Sequence, residues 1–119
     1  MTGIKIVKKP WGAEWWLVHT SKYAGKILFV KKGCRLSLQY HRKKDESFFI
    51  DKGSVKVFYG KNLKKLSVRI MKEGDVIHIP PRTLHRMQAL KNCRLIEVST
   101  PELHDVVRID DDYNRIPGK

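Results

Sequence analysis

The chain has 119 residues, with 25 Lys and Arg against 12 Asp and Glu and a formal net charge of +13. That length supports one domain that buries about 60–70% of its unfolded surface, a real core that needs no disulfide staple. No apolar run approaches the roughly 18 residues of a membrane span, and no basic start leads into an apolar leader, so neither a spanning segment nor a signal peptide is expected.

Residues 1–12 are Lys-rich and end in Lys9-Pro10-Trp11-Gly12, where Pro fixes φ and Gly permits a tight turn. Trp11 is expected to pack over a barrel mouth. Residues 13–19 read as a first strand and 20–25 as a turn. Residues 26–32 form a short apolar run of buried-strand length, broken by Gly33. Residues 35–41 alternate, with Leu36, Leu38 and Tyr40 on one face and Ser37, Gln39 and His41 on the other. Strands follow at 46–51, 54–59, 66–71, 76–79, 84–89, 93–100 and 105–109, separated by Gly-, Pro- and Asp-rich turns. About ten short strands at this spacing, with no helical periodicity and no repeat, predict an all-β sandwich or barrel.

The two cysteines, Cys34 and Cys93, lie far apart, and nothing else points to secretion, so a reduced, cytoplasmic protein is expected. The lysines fall in scattered doublets within expected turns. No helix-turn-helix, zinc-finger or aromatic-basic RNA signature accompanies them, so nucleic acid is not the expected partner. An anionic small molecule such as a sugar phosphate would respond to the same positive field.

The polar face of residues 35–41 carries the chemistry. A polar inner face is costly unless something satisfies it. Gln39 and His41 share that face, Glu46 opens the next strand, and His85 follows Pro80-Pro81 in a second glycine-led stretch. Together they offer a four-ligand N/O set for one divalent metal ion.

These pieces resemble the paired motifs of the cupin superfamily, and more narrowly the cupin domain of mannose-6-phosphate isomerases. The matching pieces are Lys9-Pro10-Trp11-Gly12, Leu36-Ser37-Leu38-Gln39-Tyr40-His41, Glu46, Ile79-Pro80 with His85-Arg86, Leu95-Ile96-Glu97-Val98, Asp105-Val106-Val107-Arg108 and Asp111-Asp112-Tyr113-Asn114-Arg115. The resemblance implies a single-domain jelly-roll barrel over residues 12–109, with a C-terminal tail at 110–119. It also implies Gln39, His41, Glu46 and His85 as ligands, with Zn the first expectation and Mn, Fe, Ni and Co the others. Three positions depart from the pattern. Lys44 replaces an Arg and loses its bidentate fork, Phe48 replaces a Trp, and Arg82 replaces a Gly. Arg82 implies a different turn or a side chain aimed at the pocket mouth. The part of such enzymes that makes a sugar nucleotide is not in the matching stretch.

The implied activity is aldose–ketose interconversion of the mannose 6-phosphate/fructose 6-phosphate type. Lys44 and Glu97 are the candidate bases, and Arg82, Arg86 and Arg108 the candidate phosphate ligands. His19, His78 and His104 receive no role, and His78 is expected to be a satisfied barrel histidine. A homodimer through edge strands is expected on the resemblance alone. The alternatives are a metal- or sugar-binding module without chemistry, an iron oxidase and a nucleic-acid binder.

Overall fold

A computed structural model describes residues 3–102 and 104–116. Among these residues the chain forms eleven strands: β1 (Lys5–Lys9), β2 (Gly12–His19), β3 (Ala24–Val30), β4 (Leu38–His41), β5 (Glu46–Lys52), β6 (Ser54–Gly60), β7 (Ser67–Lys72), β8 (Val76–Ile79), β9 (Leu84–Ala89), β10 (Cys93–Ser99) and β11 (Val106–Asp110). They make two antiparallel sheets, of six strands in the order β1-β2-β3-β10-β5-β8 and five in the order β11-β4-β9-β6-β7. The all-β sandwich read from the sequence is therefore present, with the two facing sheets of the jelly roll that the resemblance implies.

One strand is additional. β1 pairs with β2, Lys5 opposite Trp16 through Lys9 opposite Gly12. Its Lys5, Ile6 and Lys8 are exposed, as on an edge strand, so its sequence carries little hydrophobic signal. The sheets thus begin before residue 12 and run past 109 to Asp110. The alternation expected over residues 35–41 holds only within β4; ahead of it, Leu36 and Ser37 both line the interior. Both thiols are free, and Cys93 is buried.

The inner face of the six-stranded sheet is sorted along the strands. Register places Lys26 opposite Glu97, Leu28 opposite Leu95, and Val30 opposite Cys93. On the other side of β10, Leu95 faces Ile50 and Ser99 faces Glu46. One end of this face is charged and the other apolar. The apolar end packs Leu28, Ile50 and Leu95 against Val55, Val57, Met71 and Met87 from the facing strands. Trp11, Leu28, Phe48 and Met87 belong to this core and also line the cavity above it, so they form its floor. Trp11 is 2% exposed, a floor residue and not the mouth cover expected.

The acidic segment is bound back to the barrel residue by residue. Arg86 Nη1 donates to Asp110 at 3.1 Å, Arg115 Nε to Asp111 at 2.9 Å, and Arg35 Nε to Asp112 at 2.6 Å. The Asp111 side chain is fully buried, and the Arg115 hydrogen bonds hold its carboxyl below the usual range despite burial, which acts to raise it.

Two predictions follow from packing and charge. An added Cβ at Gly12 would lie 1.8 Å from the Phe29 carbonyl oxygen, inside the β2–β3 pairing. Gly12→Ala should cost about 1–3 kcal/mol in a urea titration, the usual range for overpacking. The lowered Asp111 carboxyl contributes stability that is present above about pH 4 and is lost as pH falls through its folded value. Asp111→Asn should therefore flatten the acid limb of the stability–pH curve and leave its slope near neutrality unchanged.

Candidate metal centre

β4 and β9 deliver Gln39, His41 and His85 from the five-stranded sheet, with Gln39 directly opposite His85. Glu46, the first residue of β5, reaches the same point from the facing sheet. His41 Nε2 lies 3.1 Å and His85 Nε2 3.2 Å from Glu46 Oε2. His41, Glu46 and His85 are all buried, and their donor atoms lie within 4.8 Å of one another. Gln39 is at the site with its amide nitrogen 3.4 Å from His41 Nε2, while its oxygen accepts from the Ser37 hydroxyl at 2.6 Å. Half a turn of the amide would present the oxygen instead, and a hydroxyl satisfies either orientation.

Second contacts fix which ring atoms are free. His85 Nδ1 lies 2.9 Å from the Thr83 carbonyl, which can only accept, so Nδ1 carries the proton. His41 Nδ1 lies 3.1 Å from Asp105 Oδ1, which favours the same tautomer. Both Nε2 lone pairs then face the Glu46 carboxylate. Burial acts to raise the Glu46 carboxyl; His41 and His85 would hold it well below the usual range only as Nε2–H donors, together with the Lys44 ammonium, so in the tautomers above Lys44 alone answers its charge. Glu46 Oε2 and His85 Nε2 are buried with no hydrogen-bond partner among the described residues. Lone pairs so placed repel one another unless a cation lies between them. Two imidazole nitrogens, a carboxylate and an amide oxygen suit Zn²⁺ or another first-row divalent ion, so the residues fit such a metal.

Asp105 serves the site from β4's neighbouring loop. It accepts from the backbone N–H of Lys43 at 2.7 Å and of Lys44 at 3.0 Å, as well as facing His41. Burial pushes its carboxyl up, and these contacts pull it below the usual range. One carboxylate thus orients a candidate ligand and fixes the turn that leads to another.

The centre opens into a polar cavity of about 350 Å³. Lys44 lies 2.8 Å from Glu97 Oε2 and 3.4 Å from Glu46 Oε1, all three buried. Desolvation acts to lower the Lys44 pKa, but the two carboxylates raise it above the ordinary lysine value. Lys44 is therefore an ammonium, not the free amine that a base requires.

The three arginines separate. Arg108 lines the cavity. Arg86 also reaches it, but its guanidinium is taken up by the Leu36 carbonyl, Asp110 and Asp112. Arg82 does not reach it: it is exposed in a shallow outer depression with Tyr40, Leu84 and Ile109. Its φ of 61° keeps the left-handed turn that a glycine would favour, and its N–H donates to the His41 carbonyl at 2.7 Å. So the turn survives the departure from Gly, and the side chain points away from the mouth. His78 is exposed and lies 2.6 Å from Asp45, outside the barrel interior. His19 lies 2.9 Å from the Pro101 carbonyl, and His104 lines the cavity.

Sequence reasoning missed Lys9, Glu14, Trp16, Lys26, Asp105 and Arg115. Glu14 and Trp16 share a face of β2, and the Trp16 indole donates to Glu14 at 2.9 Å. Their i, i+2 spacing was visible, but that this face was the inner one became clear only from the pairing of Trp16 with Lys26.

The purified chain should bind about one divalent ion, measured by elemental analysis. His85→Ala should abolish most of that occupancy. Asp105→Asn should weaken affinity about 10- to 100-fold, the usual effect of removing a group that orients a ligand.

Comparison with known proteins agrees with this fold. A family profile described as "Mannose-6-phosphate isomerase C-terminal" matches residues 2–111. The xanthan biosynthesis protein XanB of Xanthomonas campestris pv. campestris is 32% identical over 117 residues, covering 92% of this chain but only 23% of that protein. A mannose-1-phosphate guanylyltransferase of Sinorhizobium fredii is 27% identical over 115 residues, covering 92% and 22%. The chain thus spans about a quarter of the length of the curated relatives it matches. Among solved structures, KdgF from Halomonas sp. superposes with a TM-score of 0.74 at 18% identity, covering 85% of this chain and 89% of that one. The Lactobacillus farciminis oxalate decarboxylase superposes at 0.76 with 18% identity, covering 89% and 33%. With its two facing sheets and a profile match over nearly its whole length, the chain belongs to the mannose-6-phosphate isomerase C-terminal family of cupins.

Proposed function

We propose that the chain is a metal-dependent sugar-phosphate isomerase that interconverts an aldose and a ketose phosphate, of the mannose 6-phosphate/fructose 6-phosphate type. The observation that carries this reading is the convergence of the His41, His85 and Glu46 donor atoms beside the Lys44–Glu97 pair in one cavity. Its volume of about 350 Å³ falls within the range of small-molecule sites.

A divalent ion bound by His41, His85, Glu46 and Gln39 would act as a Lewis acid on the sugar oxygens. The protein side of the chemistry falls to the neighbouring pair. In this reading Glu97, a carboxylate 4% exposed, takes the proton from the carbon beside the carbonyl and returns it to the adjoining carbon, while the hydroxyl proton passes from one sugar oxygen to the other. Lys44, held protonated, donates to the oxygen on which negative charge develops. It also keeps Glu97 oriented through their 2.8 Å contact. Trp11, Phe48 and Met87 close the floor and limit water at the reacting carbons.

A non-catalytic metal- or sugar-binding module is the second reading. The same Lys44–Glu97 contact favours it, because it occupies the Glu97 oxygen that would have to meet a substrate proton. Metal-replete protein should interconvert mannose 6-phosphate and fructose 6-phosphate in a coupled assay, and a chelator should stop it. Glu97→Gln should lower kcat about 10²- to 10⁴-fold with metal content unchanged. No turnover of any hexose phosphate by metal-replete protein would leave the binding module.

A further inference from the structure

The cavity wall is more cationic than its carboxylates can neutralise. Of the cations lining it, Lys44 is paired with Glu97 and Glu46, Arg86 with Asp110, and Lys26 lies 3.6 Å from Glu14. Arg115 is bound to Asp111, and Lys9 comes only to 4.0 Å from Glu14. Arg108 has no carboxylate within ion-pair distance among the described residues, and its Nε is buried without a hydrogen-bond partner. A buried guanidinium N–H with nothing to donate to is costly, and such groups call for an explanation.

Register tells where Arg108 points. On β11 it sits directly opposite Gln39 of β4, which in turn sits opposite His85 of β9. Residues opposite one another in antiparallel strands share a face, so Arg108, Gln39 and His85 form one inward row. Arg108 is therefore one strand removed from the candidate metal centre. Lys9, at the end of β1, and Arg115, after β11, line the same cavity. They are close enough for their charges to disfavour one another: burial lowers the Lys9 ammonium, and Arg115 and Arg108 lower it further, as Arg115 does Arg108. Three like charges, one of them carrying a buried unsatisfied donor, match an anion with several acceptor oxygens.

We infer that Lys9, Arg108 and Arg115 form an anion subsite for the phosphoryl group of a phosphate monoester, whose sugar end then reaches the metal centre past Gln39. This rests on the sugar-phosphate reading above and assigns its orientation. The Arg108 Nε supplies a directed donor, and Lys9 and Arg115 supply charge. The dianion is the preferred form, so affinity should rise as pH passes the second phosphate pKa, about 6.

The test is calorimetric titration of the metal-loaded full chain with mannose 6-phosphate, mannose and inorganic phosphate. Mannose 6-phosphate should bind, mannose should bind at least ten-fold more weakly, and inorganic phosphate should compete with the former. Arg108→Gln should weaken mannose 6-phosphate about ten-fold or more while leaving mannose affinity and metal content unchanged. Arg108→Lys should recover part of the loss. Should Arg108→Gln not fold, Lys9→Gln on the edge strand reads the same subsite. Equal affinity of wild type for mannose and mannose 6-phosphate, or unchanged phosphate-ester affinity in folded Arg108→Gln and Lys9→Gln, overturns the subsite. Phosphate-ester binding lost in these variants, in a protein without turnover, supports the subsite and removes only the isomerase. Turnover that survives the substitutions with unaltered KM removes only the subsite.

Discussion

Two imidazole nitrogens and a carboxylate oxygen meet at 3.1 and 3.2 Å inside the barrel, with their lone pairs directed at one another. Much of the surrounding structure serves to hold that unfavourable meeting in place. The Thr83 carbonyl and Asp105 set the ring tautomers from behind. Lys44 supplies the nearest positive charge, and Glu97 balances Lys44 in turn. The paired charges can stay buried because each is answered within a few ångströms, whereas an isolated buried ion would cost several kcal/mol. A cation at the centre completes the set of attractions that the protein leaves open.

The net charge of +13 is divided between two settings. The doublets Lys31-Lys32 and Lys64-Lys65 are exposed to water and carry little structural meaning. Inside the barrel, Lys26, Lys44 and Arg86 are buried, each against a carboxylate. The interior charges belong to an organised cavity and the exterior ones to a solvated surface. Composition alone could not separate them, because it counts both alike.

The fold was legible because its strands are short and are punctuated by Gly and Pro. The centre was legible because its residues lie at fixed positions within three such strands, Gln39 and His41 on β4, Glu46 on β5 and His85 on β9. What was not legible depends on pairing across sequence distance. Lys26 faces Glu97 across 71 positions of chain only because β3 lies beside β10. Arg82 and Arg86 looked equivalent in sequence, yet a left-handed turn sends one outward while strand β9 carries the other inward. β1 escaped notice because an edge strand with solvent on its outer side needs no regular hydrophobic pattern. Lys44 illustrates a further limit: its ionisation is set by Glu97 and Glu46, which only the folded chain brings to it.

Glu46 belongs to the six-stranded sheet, whereas Gln39, His41 and His85 belong to the five-stranded one. An ion gripped by both would act as a rivet through the two halves of the sandwich. Whatever ligand the native state holds and the unfolded chain does not is coupled to folding itself. The empty and loaded proteins should then differ in resistance to heat as well as in chemistry, and the melting temperature becomes a gauge of occupancy.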